Sequence, residues 1–162
     1  MMNKGPSIMK QLPEHGRCFV CGNENESSIG IQWYVREDNS IFGEITLTDQ
    51  QQGPPGHAHG GASAALLDEA MGAAVWLAGH MVLAANLNVN YRRPIPLHVP
   101  IKITAWVSSQ GRRKVFSEGR IQLTDGTVLV EASGIFVEVK EMFAKFTDQF
   151  QAYQQQNGED DT

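Results

Sequence analysis

Gly60-Gly61-Ala62-Ser63-Ala64-Ala65-Leu66-Leu67-Asp68-Glu69-Ala70-Met71-Gly72-Ala73-Ala74-Val75-Trp76-Leu77-Ala78-Gly79 decides the architecture of this chain. It alone is long and apolar enough to raise the question of a membrane span. Asp68 and Glu69 stand side by side at its centre, where hydrocarbon penalises carboxylates, and neither a second apolar segment nor a basic flank accompanies it. The stretch is therefore expected to form a helix buried on nearly all sides. Its alanines and glycines leave a thin cylinder that a sheet can approach closely.

Outward from this helix the periodicity changes from 3.6 to 2. Before it, residues 31–37 and 40–48 form an expected hairpin, turned at Asp38-Asn39, with Ile41, Gly43, Ile45 and Leu47 alternating against Phe42, Glu44, Thr46 and Thr48. After it come four further strands over 82–91, 99–109, 114–124 and 127–139, the last two joined by Asp125-Gly126, a strong hairpin signal. Two strands, one buried helix and four strands make an α+β chain with an antiparallel sheet of about six strands, not an alternating parallel one. Met142, Phe143, Phe146, Phe150 and Tyr153 recur at helical spacing, so 140–155 is expected as an amphipathic helix and 156–162 as a disordered tail. Residues 1–17 are read as an extension and 18–139 as the domain.

The chain has 162 residues, enough for one core, and a net charge of -5. That balance disfavours nucleic-acid binding, which rests on neutralising phosphates. The opening residues lack the apolar run of a secretory signal, and Cys18 and Cys21 are too few to staple a secreted fold, so a cytoplasmic protein is expected.

Gly53-Pro54-Pro55-Gly56-His57-Ala58-His59-Gly60-Gly61 runs straight into the helix. A helix start exposes unpartnered N–H groups, which suit an anion or a developing oxyanion, and at Gly60 no side chain hinders a carbonyl from approaching. A tight turn alone would explain the glycines equally well. Asp68 weighs on the functional side, because a carboxylate in an apolar helix is paired, at an edge, or functional. Glu69 competes with it. The two lie about 100° apart around the helix, so one of them is free to seek an edge or a partner.

His59-Gly60-Gly61 with Asp68 nine residues after the histidine resembles the signature of hotdog-fold acyl-coenzyme A thioesterases. GPPGHAHGG before the helix and ANLNVNYRRPIPL, from Ala85 to Leu97, resemble the thioesterase superfamily member 4 and 5 branch. CFVCGNEN is similar to the opening of related bacterial, PaaI-like members. The resemblance covers Cys18 to Val139 and implies a long central helix wrapped by a curved antiparallel sheet, a homodimer or dimer of dimers, and hydrolysis of an acyl thioester. It further implies Gly60 as backbone oxyanion donor, His59 as positioning residue, and Asp68 as general base or nucleophile. Ala84 departs from members that carry a threonine there, leaving Ser63 as a weak source of an orienting hydroxyl.

Geometry adds a requirement of its own. Gly60 and Asp68 are separated by about 12 Å along a helix at ~1.5 Å per residue, whereas base and oxyanion donor each belong within about 3 Å of the reacting groups. If both act on one thioester, they come from different subunits of a two-fold dimer.

Coenzyme A carries several phosphates, which calls for cations at Arg92-Arg93 or at Arg112-Arg113, although both pairs also read as solvated strand ends. Gly61, Asn86 and Asn88, on the matching segments, join these arginines in the substrate-binding set. No cofactor is expected, coenzyme A being part of the substrate. Cys18-x-x-Cys21 is half of a zinc site that His15, His57 and His59 would have to complete, and the expectation is no metal. His80 and His98 are read as structural or exposed. Trp33, Phe42, Trp76 and Trp106 are assigned to the core, some of them as possible walls of an acyl tunnel. Two rivals stay open: a hotdog dehydratase or hydratase drafting His59 with Glu69, and a non-catalytic acyl-coenzyme A sensor.

Overall fold

A computed structural model describes residues 6–144 of the chain. Within them the strands are β1 (Ile8–Gln11), β2 (Trp33–Arg36), β3 (Ile41–Thr46), β4 (Val82–Tyr91), β5 (Pro100–Gln110), β6 (Lys114–Leu123) and β7 (Val128–Glu138). The helices are α1 (Gly60–Leu77) and the short α2 (Lys140–Ala144). All seven strands form one antiparallel sheet in the order β1-β2-β3-β5-β6-β7-β4.

The helix touches β3, β5, β6, β7 and β4, which are consecutive in the sheet. Strands sit about 4.8 Å apart, so five of them span about 19 Å, against a helix only about 10 Å across. A flat sheet could not reach. The sheet therefore curves around α1, which is the hotdog architecture that the resemblance implies. Ile41, Leu66, Leu67, Met71, Val75, Ile101, Ile103, Val115, Ile121 and Val130 are fully buried between the two. Gly119 of β6 lets them close up, since a Cβ there would lie 3.1 Å from Leu67 Cδ2 and 3.3 Å from Met71 Cγ.

The turns follow their residues. Asn39 adopts φ 61° and the Asp38 side chain accepts the Ser40 N–H at 3.0 Å; Gly126 adopts φ 92° and Asp125 accepts the Thr127 N–H at 2.8 Å.

Several expectations are corrected. The sheet has seven strands rather than about six, because Ile8–Gln11 in the 1–17 extension pairs with β2. The helix is not buried on nearly all sides: Ser63, Leu66, Leu67, Ala70, Met71, Ala74 and Val75 are buried, while Gly61, Asp68 and Leu77 are exposed. Trp106 is not core. Ile101, Ile103 and Ala105 take the buried side of β5, which sends Trp106 to the outer face, where the Arg120 guanidinium sits 5.4 Å from its ring centroid. Of the expected C-terminal helix, 140–144 is helical; Phe146, Phe150, Tyr153 and the tail lie outside the described residues.

Candidate functional site

The helix start is held by the loop ahead of it and by the link between β4 and β5. Ala58 N–H donates to Ile95 O at 2.9 Å and Leu97 N–H to Gly56 O at 3.0 Å, so the Gly-Pro loop is laced to the link between β4 and β5. His59 N–H donates to Gln51 O at 2.7 Å. His59 is the N-cap: its Nδ1 accepts the Gly61 N–H at 2.8 Å and its carbonyl accepts the Ala62 N–H at 3.0 Å. The cap thus uses the N–H groups of Gly61 and Ala62 and leaves that of Gly60. Tyr91 closes the same corner, its hydroxyl donating to Gly60 O at 2.9 Å, and a Cβ on Gly60 would lie 3.2 Å from that hydroxyl. His57 is turned away, its Nδ1 3.0 Å from Pro55 O.

Two turns further on, Asp68 and Glu69 point in different directions, as 100° of helix rotation requires. Asp68 lies on the uncovered face and lines a cavity of about 700 Å³ walled by Trp33, Ala65, Trp76, Ala84, Phe136 and Phe143. Although solvent reaches it, the surrounding cavity wall partly desolvates the carboxylate, and this, followed by the charge of Glu69, raises its pKa above the ordinary carboxylate value. Phe143 of α2 meets Trp76 edge to face, with ring centroids 5.0 Å apart, so the chain after β7 forms part of the wall.

Glu69 is committed elsewhere. Its Oε1 accepts from Cys18 Sγ at 2.8 Å and from Cys21 Sγ at 3.2 Å, and its Oε2 accepts the Trp33 indole N–H at 2.7 Å. Burial alone would raise its pKa, but the nearby His15 imidazole, 3.7 Å away, and the hydrogen bonds from Cys18, Trp33 and Cys21 together hold it below the ordinary value. With both oxygens occupied, Glu69 is a poor partner for a dehydratase histidine, and His59 Nδ1 is already spent on its own helix.

Other proposed site residues fall around this frame. Gly61 and His59 line a second cavity, also about 700 Å³, which shares Phe19 with the first and does not include Asp68. Ser63 is buried. A bulge between Ala84 and Asn86 reverses the alternation along β4, so that Val82 points inward before it and Leu87 and Val89 pack on the core after it. Asn86 and Asn88 are thereby left exposed. Arg92 and Arg93 follow Tyr91 at the Gly60 end of the helix, and Arg92 Nε pairs with Glu131 at 3.0 Å. Arg112 and Arg113 lie at the other end, in the β5–β6 turn, where Gln110 meets His80 just past the helix. Sequence reasoning missed Tyr91 as a partner of the helix start; its hydroxyl is the only signal, and pairing it with Gly60 requires the fold.

The thioesterase superfamily family model matches residues 55–130, which run from the Gly-Pro loop through α1 into β7. The acyl-coenzyme A thioesterase THEM4 of Bos taurus is 31% identical over 118 residues, covering 70% of this chain and 48% of that protein. THEM4 of Xenopus laevis is 41% identical over 90 residues, covering 54% of this chain and 40% of that one. The chain thus spans about half the length or less of the curated relatives it matches. A crystal structure of a thioesterase superfamily protein superposes with TM-score 0.75 at 35% identity, covering 83% of this chain and 70% of that one. Matched in sequence across the helix and its capping loop, and in structure along most of both chains, this protein belongs to the thioesterase superfamily.

Proposed function

We propose that this chain hydrolyses acyl thioesters of coenzyme A, with Asp68 of one subunit and the Gly60 N–H of its partner acting on the same carbonyl. The observation that carries the reading is the pairing on one helix of a carboxylate facing an apolar cavity with a start whose Gly60 N–H the cap does not use. Asp68 acts as general base, taking a proton from water as its oxygen attacks the carbonyl, or as nucleophile, forming an anhydride that water then opens. In either route the C–S bond breaks and coenzyme A leaves as thiolate, a good leaving group that needs little acid assistance. Gly60 N–H holds the developing oxyanion. His59 positions that donor.

A homodimer is part of this reading. It is supported by the uncovered face of α1, by β4 at the edge of the sheet, and by exposed Phe19, Leu77 and Leu83 alongside. The Asp68 cavity is where the acyl group is placed, against Trp76, Phe136 and Phe143. Among the described residues no helix is long and apolar enough to cross a membrane. The unpaired thiols of Cys18 and Cys21 support a cytoplasmic setting.

The test is thiol release from short, medium, long and aromatic acyl-coenzyme A esters, with Asp68→Asn beside the wild type. The expected result is hydrolysis that falls about 10²- to 10⁴-fold in the variant. Tight binding without turnover of any ester would replace this reading with a sensor.

A further inference from the structure

We propose that His15 Nδ1, Cys18 Sγ, Cys21 Sγ and Glu69 Oε1 form a tetrahedral site for one zinc(II) ion that ties the segment ahead of β2 to helix α1. The site lies beyond the thioesterase reading and does not depend on it.

The four ligand atoms, from four residues, all lie within 4.8 Å of one another. A tetrahedral zinc with Zn–S about 2.3 Å, Zn–N about 2.0–2.1 Å and Zn–O about 2.0–2.2 Å sets its ligands about 3.4–3.8 Å apart. The Cys21–His15 and His15–Glu69 separations are 3.5 and 3.7 Å, Cys21–Glu69 is 3.2 Å, and Cys18–Glu69 is 2.8 Å. The set is already close to ion-sized, and the tightest pair has to open by less than about 1 Å.

The backbone is shaped for the same purpose. Cys18-Phe19-Val20-Cys21-Gly22 forms a knuckle in which the Val20 N–H donates to Cys18 Sγ at 3.3 Å and the Gly22 N–H to Cys18 O at 3.0 Å. A side chain at Gly22 would put its Cβ 2.4 Å from Gly16 O and 2.5 Å from Cys18 N, so the turn that aims both sulfurs one way requires glycine. From the opposite side, Trp33 Nε1–H fixes Glu69 Oε2 at 2.7 Å and thereby presents Oε1 to the sulfurs, the outer support typical of a ligating carboxylate.

The donor chemistry selects the ion. Two soft sulfurs, an imidazole and one carboxylate oxygen favour zinc over magnesium or calcium, which prefer shells of oxygen. Binding exchanges the two S–H protons for the ion and releases them to solvent, leaving two thiolates and a carboxylate around a dication. Four protein ligands close the shell, which is the pattern of a structural rather than a catalytic zinc.

The segment itself calls for such a tie. Residues 12–32 contain no helix or strand, a length of irregular chain uncommon inside a compact domain. Joining His15, Cys18 and Cys21 to α1 fixes it against the same cavity that Asp68 lines. His57 and His59, which a reading of the sequence alone would draft as ligands, belong to the capping loop instead.

The full chain, purified under reducing conditions without chelator or immobilised-metal resin, should carry about one zinc per chain by elemental analysis. Cys18→Ser and Cys21→Ser should each lose at least about nine-tenths of it, while His57→Ala keeps it. As a measurement that needs no variant, cobalt(II) added to the chelator-stripped wild type should give the intense visible bands of a tetrahedral site and a near-ultraviolet thiolate-to-cobalt band. Wild-type protein that is free of zinc and gives neither band with reduced thiols would overturn the proposal. So would an intact mass two hydrogens short that marks Cys18 and Cys21 as a disulfide in freshly isolated, unreduced protein.

Discussion

The Trp33 indole N–H donates to Glu69 Oε2 at 2.7 Å, and this bond grips α1 from strand β2 at the residue next to Asp68. Trp33 is only 3% exposed. Trp33→Phe keeps an aromatic ring but leaves a buried carboxylate oxygen short of a donor, which costs about 1–3 kcal/mol. The urea midpoint should fall accordingly with an unchanged m-value. An unchanged midpoint would mean that the carboxylate finds water or another donor at no cost.

The pair of His80 and Glu138 gives a pH signature remote from the site. His80 Nδ1 stands 2.9 Å from Glu138 Oε1, and Nε2 is 3.2 Å from Gln110 Oε1. The hydrogen bond to Glu138 raises the His80 pKa above its ordinary 6.5, and that from His80 lowers the Glu138 carboxyl below 4.5. For the histidine, the stabilisation is full below its unfolded pKa and fades as pH rises through the folded one. For the carboxylate, it is present above the unfolded pKa and lost as pH falls through the folded one. The bonded pair therefore contributes across the mildly acidic range between them. Following the His80 ring proton by NMR, Glu138→Gln should move its midpoint down toward 6.5; a midpoint that stays put would show that the contact does not persist in solution.

Much of this fold is legible in the chain. The switch from period 3.6 to period 2, with turns at Asp38-Asn39 and Asp125-Gly126, locates the helix and six strands to within two residues at most ends. β1 escaped because Ile8, Met9, Lys10 and Gln11 are all exposed, so no alternation marks them. The open face of α1 escaped for the opposite reason: a helix of alanine, glycine and leucine is apolar all round, and no contrast shows which side the sheet leaves uncovered. The Trp106 error came from weighing residue type above alternation, since Ile101, Ile103 and Ala105 already occupied the inner side. Within the site, Asp68 and Gly60 could be singled out because both lie on the deciding helix. The meeting of Cys18 with Glu69, 51 residues apart, depends on a long irregular loop that no local pattern places.

The two arginine pairs make a kinetic prediction. Arg92-Arg93 stands at the Gly60 end of the helix, and the Arg92–Glu131 pair, with side chains 61% and 45% exposed, is weak enough to yield to a phosphate. Coenzyme phosphates held at this end would draw on these arginines for binding and not for chemistry. Arg92→Ala with Arg93→Ala should raise KM for acyl-coenzyme A roughly tenfold, the loss of one charge-assisted hydrogen bond, with kcat nearly unchanged. Acyl-pantetheine, which lacks the nucleotide phosphates, should show no such rise. If Arg112→Ala with Arg113→Ala has the effect instead, the phosphates lie at the opposite end.

The shared site can be tested by removing the backbone N–H of Gly60. Proline removes a backbone N–H and is well tolerated at the first position of a helix, which is where Gly60 stands. His59, the residue before it, already holds φ -63° and ψ 137°, the extended form that a following proline demands. Gly60→Pro should therefore fold, with the exposed Tyr91 ring giving way by a few tenths of an ångström to the new Cβ, while losing the oxyanion donor, with kcat falling about 10²- to 10³-fold. Asp68→Asn loses the base and keeps the donor. In mixed dimers of the two variants, one site combines both defects and the other draws an intact Gly60 from one subunit and an intact Asp68 from its partner. Unfolding and reassociating the variants in equal amounts should then restore about a quarter of wild-type activity, because half of the dimers are mixed and each has one good site. Mixtures no more active than the separate variants, with subunit exchange verified by mass, would show that Gly60 of one subunit and Asp68 of its partner do not act together, and would end the shared-site mechanism.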